Sequence, residues 1–440
     1  MSATHAPEFR RFSIRAVYTS AGAAALSALT FLCICVGCAA GGGGGGGSAP
    51  SSPPVPPTTA LSTVPAPSPT PTPAVLPHSP PSPGSPPAPP APAAPAIWIT
   101  AYYASWQSVT MPPSQVDFTA MTHVVHFSVV PKADGTLNTA ANGVIDAAAA
   151  SALIAPAHAA GTKVLLALGG AGSGPAFEAA MADSIRPTLV ANVVGFVAAN
   201  GYDGVDVDME PLLPADAPAF ALLVHDLRAA LKARDPSSLL TVVCGPTAEI
   251  PAIVAPLQAE VDQLNLETYD MSNLWPGWTE TWHNAPLFNG GLTFPSTGGP
   301  LPCADLSVQW FTAAGIPRSK LGIGIEFHAY VWHGATGPDQ SNAGVTIDTS
   351  YTYSQVMDLL YQPAYYGWDA GAQSCYLGIP GADPRFVSYE DATACGRKVQ
   401  YVKAQGLGGL IIWELAGGYR ASQPAGQRDL LLQSIKTAAR

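Results

Sequence analysis

Charge is what this sequence lacks. From Ala16 to Val116 there is no Asp, Glu, Lys or Arg. A soluble globular surface needs such residues, so this stretch is not an ordinary domain. Its first part, Ala16 to Ala40, is apolar and follows Arg10, Arg11 and Arg15, the order of an export signal or a membrane anchor. Its second part opens on the seven glycines Gly41 to Gly47 and runs on as a Pro/Ser/Ala/Thr tract to Pro95, which cannot bury a core and reads as a disordered, semi-rigid spacer. Basic residues are also scarce: 19 Lys and Arg face 30 Asp and Glu, for a net charge of −11. With no basic run, nucleic acid is excluded as a partner. Cysteine is sparse too. Cys33, Cys35 and Cys38 lie in the apolar segment, and Cys244, Cys303, Cys375 and Cys395 lie beyond it. Four cysteines in an exported domain suit disulfides whose pairing the sequence does not choose. Cys244, after the apolar run Leu239 to Val243, reads equally well as a buried thiol.

The chain therefore divides into residues 1–40, a signal peptide or anchor; 41–95, a linker; and 96–440, one folded domain. Val36-Gly37-Cys38-Ala39 resembles the end of a bacterial lipoprotein signal, with Cys38 as the lipidated residue. The expected product is an exported protein, either tethered to the cell envelope through Cys38 or secreted, touching the membrane only through this N-terminus.

Against this background stands an acid-rich run, Asp203-Gly-Val-Asp-Val-Asp-Met-Glu210. From Asp206 on, acids alternate with apolar residues. A strand sends successive side chains to opposite faces, so Asp206, Asp208 and Glu210 share one face and Val205, Val207 and Met209 the other. Like charges this close raise one another's pKa, an arrangement costly for stability and suited to acid catalysis or to a hard cation such as Mg²⁺ or Ca²⁺. Asp203, on the other parity, reads as structural.

Further apolar runs recur with helix-prone stretches between them, the pattern of βα units. Strands are predicted at Ile97–Tyr103, Thr122–Val130, Lys163–Gly169, Gly204–Glu210, Leu239–Gly245, Gln263–Tyr269, Leu321–Phe327 and Gly409–Trp413, with helical stretches such as Gly143–Ala160, Ala176–Ala199 and Ala215–Arg234. Eight strands alternating with helices predict a (β/α)8 barrel; a doubly wound sheet shares the alternation. Barrel chemistry sits at the C-terminal strand ends, where Tyr102, Glu210, Tyr269, Asp270 and Trp413 fall. The stretch from Phe327 to Gly408 is longer than one helix and predicts a small insertion between the seventh and eighth strands.

The run ending at Glu210 resembles the fourth-strand signature of family 18 glycoside hydrolases, the chitinases and their relatives. Leu168-Gly169-Gly170, Gln263-Leu-Asn-Leu-Glu-Thr-Tyr269-Asp270, Trp275, His283-Asn-Ala-Pro-Leu287, Trp368-Asp369, Val387-Ser-Tyr-Glu-Asp391 and Gly406-Leu-Gly-Gly-Leu-Ile-Ile-Trp413 follow in the family's order. The resemblance implies retaining hydrolysis of β-1,4-linked N-acetylglucosamine, with the substrate's acetamido oxygen as nucleophile. It implies Glu210 as general acid and base, Asp208 as the group orienting the acetamide, and Asp206 as the partner sharing a proton with Asp208. Tyr269, Asp270, Trp413, Tyr102 and Trp275 are then substrate-binding, with no cofactor, no metal, and a monomer acting on a glycan.

Aromatic rings suit sugar faces, and Trp413, Trp275 and Trp332 are expected as platforms, with Trp106 and Trp282 as platforms or packing. His123, His126 and His328 lack a ligand pattern and read as core or rim groups. The chain departs from the family pattern at Ala167, at Glu267 (whose parity with Tyr269 aims a further acid into the barrel, as a substrate-binding group or a satisfied structural acid), at Glu326, and at Tyr330, where the family carries Arg. These departures keep open an endo-N-acetylglucosaminidase or a peptidoglycan hydrolase. A sugar-binding lectin on the same fold is disfavoured because Glu210 is present.

Overall fold

The computed structural model describes residues 97–440. The expected signal or anchor, the linker and Cys38 lie outside the described residues. Seven strands of the barrel come first: β1 Trp98–Ala104, β2 His123–Pro131, β3 Lys163–Gly170, β4 Gly204–Met209, β5 Leu239–Cys244, β6 Gln263–Leu266 and β7 Leu321–Glu326. Five more follow, β8 His328–His333, β9 Thr346–Thr352, β10 Tyr366–Asp369, β11 Ser374–Ile379 and β12 Arg385–Tyr389. The last is β13, Gly409–Trp413.

Strands β1 to β7 and β13 pair in parallel in the order β1-β13-β7-β6-β5-β4-β3-β2, and β2 pairs back to β1, closing an eight-stranded barrel. The alternation read in β4 is visible in the packing. Val205, Val207 and Met209 join the large cluster between barrel and helices. Inward residues of other strands, including Tyr102, Val125, Leu165, Ala167, Val243 and Ile411, form a separate cluster inside the barrel. The predicted insertion is a five-stranded antiparallel sheet in the order β9-β8-β12-β11-β10. It is fastened to the barrel by a buried ion pair: Lys398 Nζ lies 2.9 Å from Glu390 and donates to Gly324 O of β7 at 2.8 Å.

Three expectations are corrected. The stretch Ala176–Ala199 is two helices, Gly174–Ala180 and Arg186–Asn200. Pro187 lies in the first turn of the second helix, and proline has no N–H to offer the preceding turn, so a helix starts there. Strand six stops at Leu266, short of Tyr269. The Thr268 hydroxyl accepts from Gly324 N at 2.8 Å and lies 3.2 Å from Gly324 O, taking main-chain partners that a longer strand would use. Asp270 then turns at a left-handed φ of 53°. Finally, Cys244, Cys303, Cys375 and Cys395 are buried free thiols, not disulfides. Burial raises the pKa of all four, which makes them unreactive packing groups.

Candidate active site

Strand β4 delivers Asp206 and Asp208 into the barrel, and Glu210 follows at its mouth. Asp206 is fully buried and well satisfied. Tyr102 Oη donates to its Oδ2 at 2.9 Å, and Thr241 Oγ1 donates to its Oδ1. Burial raises the Asp206 pKa, and these donors hold the rise back. Asp208, 3% exposed, has no such donor at Oδ1. Its neighbours are carboxyls, so a proton has to stand between them. Burial, then the charges of Glu210, Glu267 and Asp206, push the Asp208 pKa well above the carboxylate range. Burial and then the charge of Asp270 push Glu210 up to about 7, against a hydrogen bond with Asp208 that favours its ionised form. The two titrate as a pair.

Glu267 does point inward. One oxygen of each of Asp208, Glu210 and Glu267 lies within 4.8 Å of the others. Burial, followed by the charges of Glu210 and Asp270, raises the Glu267 pKa strongly. Tyr269 Oη donates to Glu267 Oε1 at 3.3 Å, which brings Tyr269 into the same pocket. Asp270 keeps the opposite character. Burial pushes its pKa up, but the charge and hydrogen bond of His328, with bonds from Asn284 and Tyr330, outweigh it and leave it below the usual value. Asp270, Glu326 and His328 form a second compact set. In the second set the imidazole stands between the two carboxylates.

Aromatic rings wall one side of the acids. Trp413 stands edge-on to Phe127 at 4.8 Å and to Tyr102 at 5.5 Å, and Trp106, 47% exposed, leans on both Phe127 and Trp413. Trp106 is therefore partly exposed at the edge of this wall. Trp275 stands apart from this wall. It is exposed, and its ring neighbour is Trp278 at 5.0 Å. Trp332 is not a platform: it is 0% exposed, locked between Phe386 and its neighbours inside the inserted sheet. Trp282 is packing, with Nε1 donating to Pro302 O at 2.9 Å. Asp203 is structural as expected, bound by Lys163, His158 and Val164 N.

Residue-by-residue reading missed Thr241, Asn284 and the role of His328. Thr241 had a signal. It is the register partner of Asp206 across β4 and β5, and its parity with Val243 points it inward. Asn284 and His328 had none, because an irregular turn of the connection after β6 brings Asn284 to Asp270 and the insertion brings His328. Thr241→Val is expected to cost about 1–3 kcal/mol, since it removes a donor from a buried carboxyl, and to raise Asp206's pKa further. A lowered urea midpoint at unchanged m checks the first; an upward-moved acidic limb of the pH–rate profile checks the second.

Clustered carboxyls at the strand ends of a closed parallel barrel, with a tryptophan wall beside them, define a barrel of the glycoside-hydrolase kind. The family model for glycosyl hydrolases family 18 matches residues 99–418, and the chain belongs to that family. Chitinase A1 of Niallia circulans is 29% identical over 272 residues, covering 54% of this chain and 38% of the relative. Chitinase 1 of Aphanocladium album is 27% identical over 276 residues, covering 59% of this chain and 63% of the relative. The chain thus spans less than two thirds of either. Among solved structures, the Ostrinia furnacalis group IV chitinase in complex with allosamidin superposes with a TM-score of 0.66 at 21% identity, over 78% of this chain and 98% of that one. YKL-39, solved in the presence of chitooligosaccharides, gives 0.68 at 19%, over 78% and 99%. At these identities the superpositions show a shared fold.

Proposed function

We propose that this chain hydrolyses β-1,4-linked N-acetylglucosamine glycans, chitin or chitooligosaccharides, with retention and with the substrate's acetamido oxygen as nucleophile. The observation that carries the reading is the Asp208–Glu210 pair, two carboxyls at the end of β4 whose proton affinities are raised by burial and by neighbouring acids, beside Tyr269. Glu210 gives its proton to the leaving oxygen and then takes one from water. Asp208 holds the acetamide and stabilises its positive intermediate, and Asp206 exchanges proton density with Asp208. Tyr102 and Trp413 line the cleavage subsite, and Tyr269 and Asp270 bond the sugar. Glu267 is a further acid beside the pair. Burial and the charges of Glu210 and Asp270 raise its pKa, which makes it a weaker nucleophile.

The test pairs two chromogenic glycosides that differ only at C2. The acetamido substrate is expected to turn over, and its 2-hydroxyl analogue to be slower by about 10³-fold or more, the loss of a well-placed intramolecular nucleophile. Comparable rates would sink substrate assistance. The pH sign follows from Glu210. A general acid must hold its proton, so kcat/KM is retained below about 7 and falls as pH rises through it.

A second reading, an endo-N-acetylglucosaminidase or peptidoglycan hydrolase, is favoured by Tyr330 standing where the family pattern carries Arg. Product profiles on chitin, peptidoglycan and a high-mannose glycoprotein separate them. Export belongs to the proposal too, supported by Ala16 to Ala40 and Cys38. Loss of metabolic lipid labelling in Cys38→Ala supports tethering, and an unlabelled wild type in the medium supports secretion.

A further inference from the structure

A second ion cluster lies beside the acid–base pair. Asp270 leaves β6 at φ 53° with half of its side chain exposed. His328, the first residue of β8, places Nε2 at 2.8 Å from Asp270 Oδ1 and 3.2 Å from Glu326 Oε2. Asn284 Nδ2 donates to Asp270 Oδ1 at 3.0 Å and also to Glu326 Oε2. His328 is the one cation-forming side chain paired with Asp270 among the described residues. Position 330 holds a phenol, and Lys398, the other nearby cation, is spent on Glu390.

We propose that His328 is a positioning residue of the cleavage subsite: clamped between Asp270 and Glu326, it supplies the positive charge that keeps the Asp270 carboxylate ionised and aimed into the cleft. It acts on substrate only through Asp270, so the inference rests on the reading that Asp270 bonds the sugar.

Carboxylates from several elements favour a charged imidazole. Asp270 and Tyr269 face it from the loop after β6, with the Tyr269 ring edge-on at 5.8 Å. Asn284 faces it from the same long connection, Glu326 from β7 and Tyr330 from its own strand. Glu390 beyond β12 and Glu414 beyond β13 add their fields. Burial pulls the imidazole pKa down, but Asp270 and Glu326 reverse that and lift it to about 9. Burial lifts Glu326 to about 8, so near neutrality Glu326 is the uncharged member and the positive charge serves Asp270. The cluster is then an Asp⁻–His⁺ pair backed by a neutral acid. It stays in that state until alkaline pH first ionises Glu326 and then discharges His328.

Histidine NMR on the free full-length protein tests the pairing without any substrate. The His328 ring is expected to titrate above pH 8 in the wild type, and about one unit or more lower in Asp270→Asn, where the facing charge is gone. An unchanged midpoint in Asp270→Asn overturns the proposal. Kinetics test the consequence. His328→Gln keeps a donor and removes the charge; it is expected to lower kcat/KM about 10- to 100-fold, the cost of a misplaced contact. His328→Lys is expected to recover part of the loss. In the double variant with Asp270→Asn, His328→Gln is expected to cost nothing more, since two residues acting as a unit are non-additive. A folded His328→Gln enzyme with wild-type kinetics, or fully additive losses, overturns the proposal. If the wild type cleaves no acetamido substrate, the functional reading fails, and the NMR titration still decides whether His328 holds Asp270. If His328→Gln does not fold, Asp270→Asn carries the test alone.

Discussion

Glu210→Gln is expected to reduce kcat on an N-acetylchitooligosaccharide by about 10³-fold or more, at the upper end of what proton transfer contributes, with little change in KM. The amide matches the carboxyl in shape and fills the same space, so binding survives. It cannot deliver a proton to the leaving oxygen, nor take one from water. The alkaline fall near pH 7 is expected to vanish from whatever activity remains, because the group responsible for it is gone. The variant is also expected to melt at the same temperature as the wild type or slightly higher. Glu210, Asp208 and Glu267 crowd within 4.8 Å, and a neutral amide relieves their repulsion. Near-wild-type turnover by Glu210→Gln would remove the central residue of the mechanism.

Gly169→Ala is expected to destabilise the barrel by about 3 kcal/mol or more. Gly169 sits at φ 120°, a left-handed conformation that residues with a Cβ rarely adopt. An added Cβ would lie 1.9 Å from Asp208 O and 2.7 Å from Phe177 Cε2. The first contact is with backbone of β4, at the residue Gly169 pairs with in the ladder, so no flexible side chain can swing away. The strand that carries Asp208 has to move instead. Chemical denaturation measures the stability loss, and a parallel fall in kcat is expected because Asp208 is displaced. A variant as stable as the wild type would mean that β3 and β4 are less closely apposed than described.

The acid ladder and the barrel were legible because both are local periodicities. Alternation along β4 needs only two side-chain directions per strand, and it separated Val205 and Val207 from Asp206 and Asp208 correctly. The end of β6 was not legible. Leu264 to Tyr269 continues the strand pattern, and only the hydroxyl of Thr268, engaged with Gly324 across the neighbouring strand, ends it. Trp332 shows the same limit. Its composition and its place after β7 suited a sugar platform, but the inserted sheet folds over it and encloses it with Phe386. Whether a tryptophan is floor or filling depends on what packs against it, and that partner lies 54 residues further along the chain.

What this sequence determined by itself follows from short-range rules: an uncharged stretch from Ala16 to Val116, an acidic domain with no basic runs, eight strand-like runs between helices, and three acids sharing one face with Glu210 at their end. What the tertiary structure alone decided is the charge state of those acids and the company they keep. Burial and closely facing groups set a proton's affinity, and both arise from closure of the barrel. Closure brings Thr241 and Tyr102 to Asp206, brings Glu267 against Asp208 and Glu210, and lets the insertion bring His328 to Asp270. No spacing along a chain encodes those distances directly, because each contact joins residues far apart in the sequence.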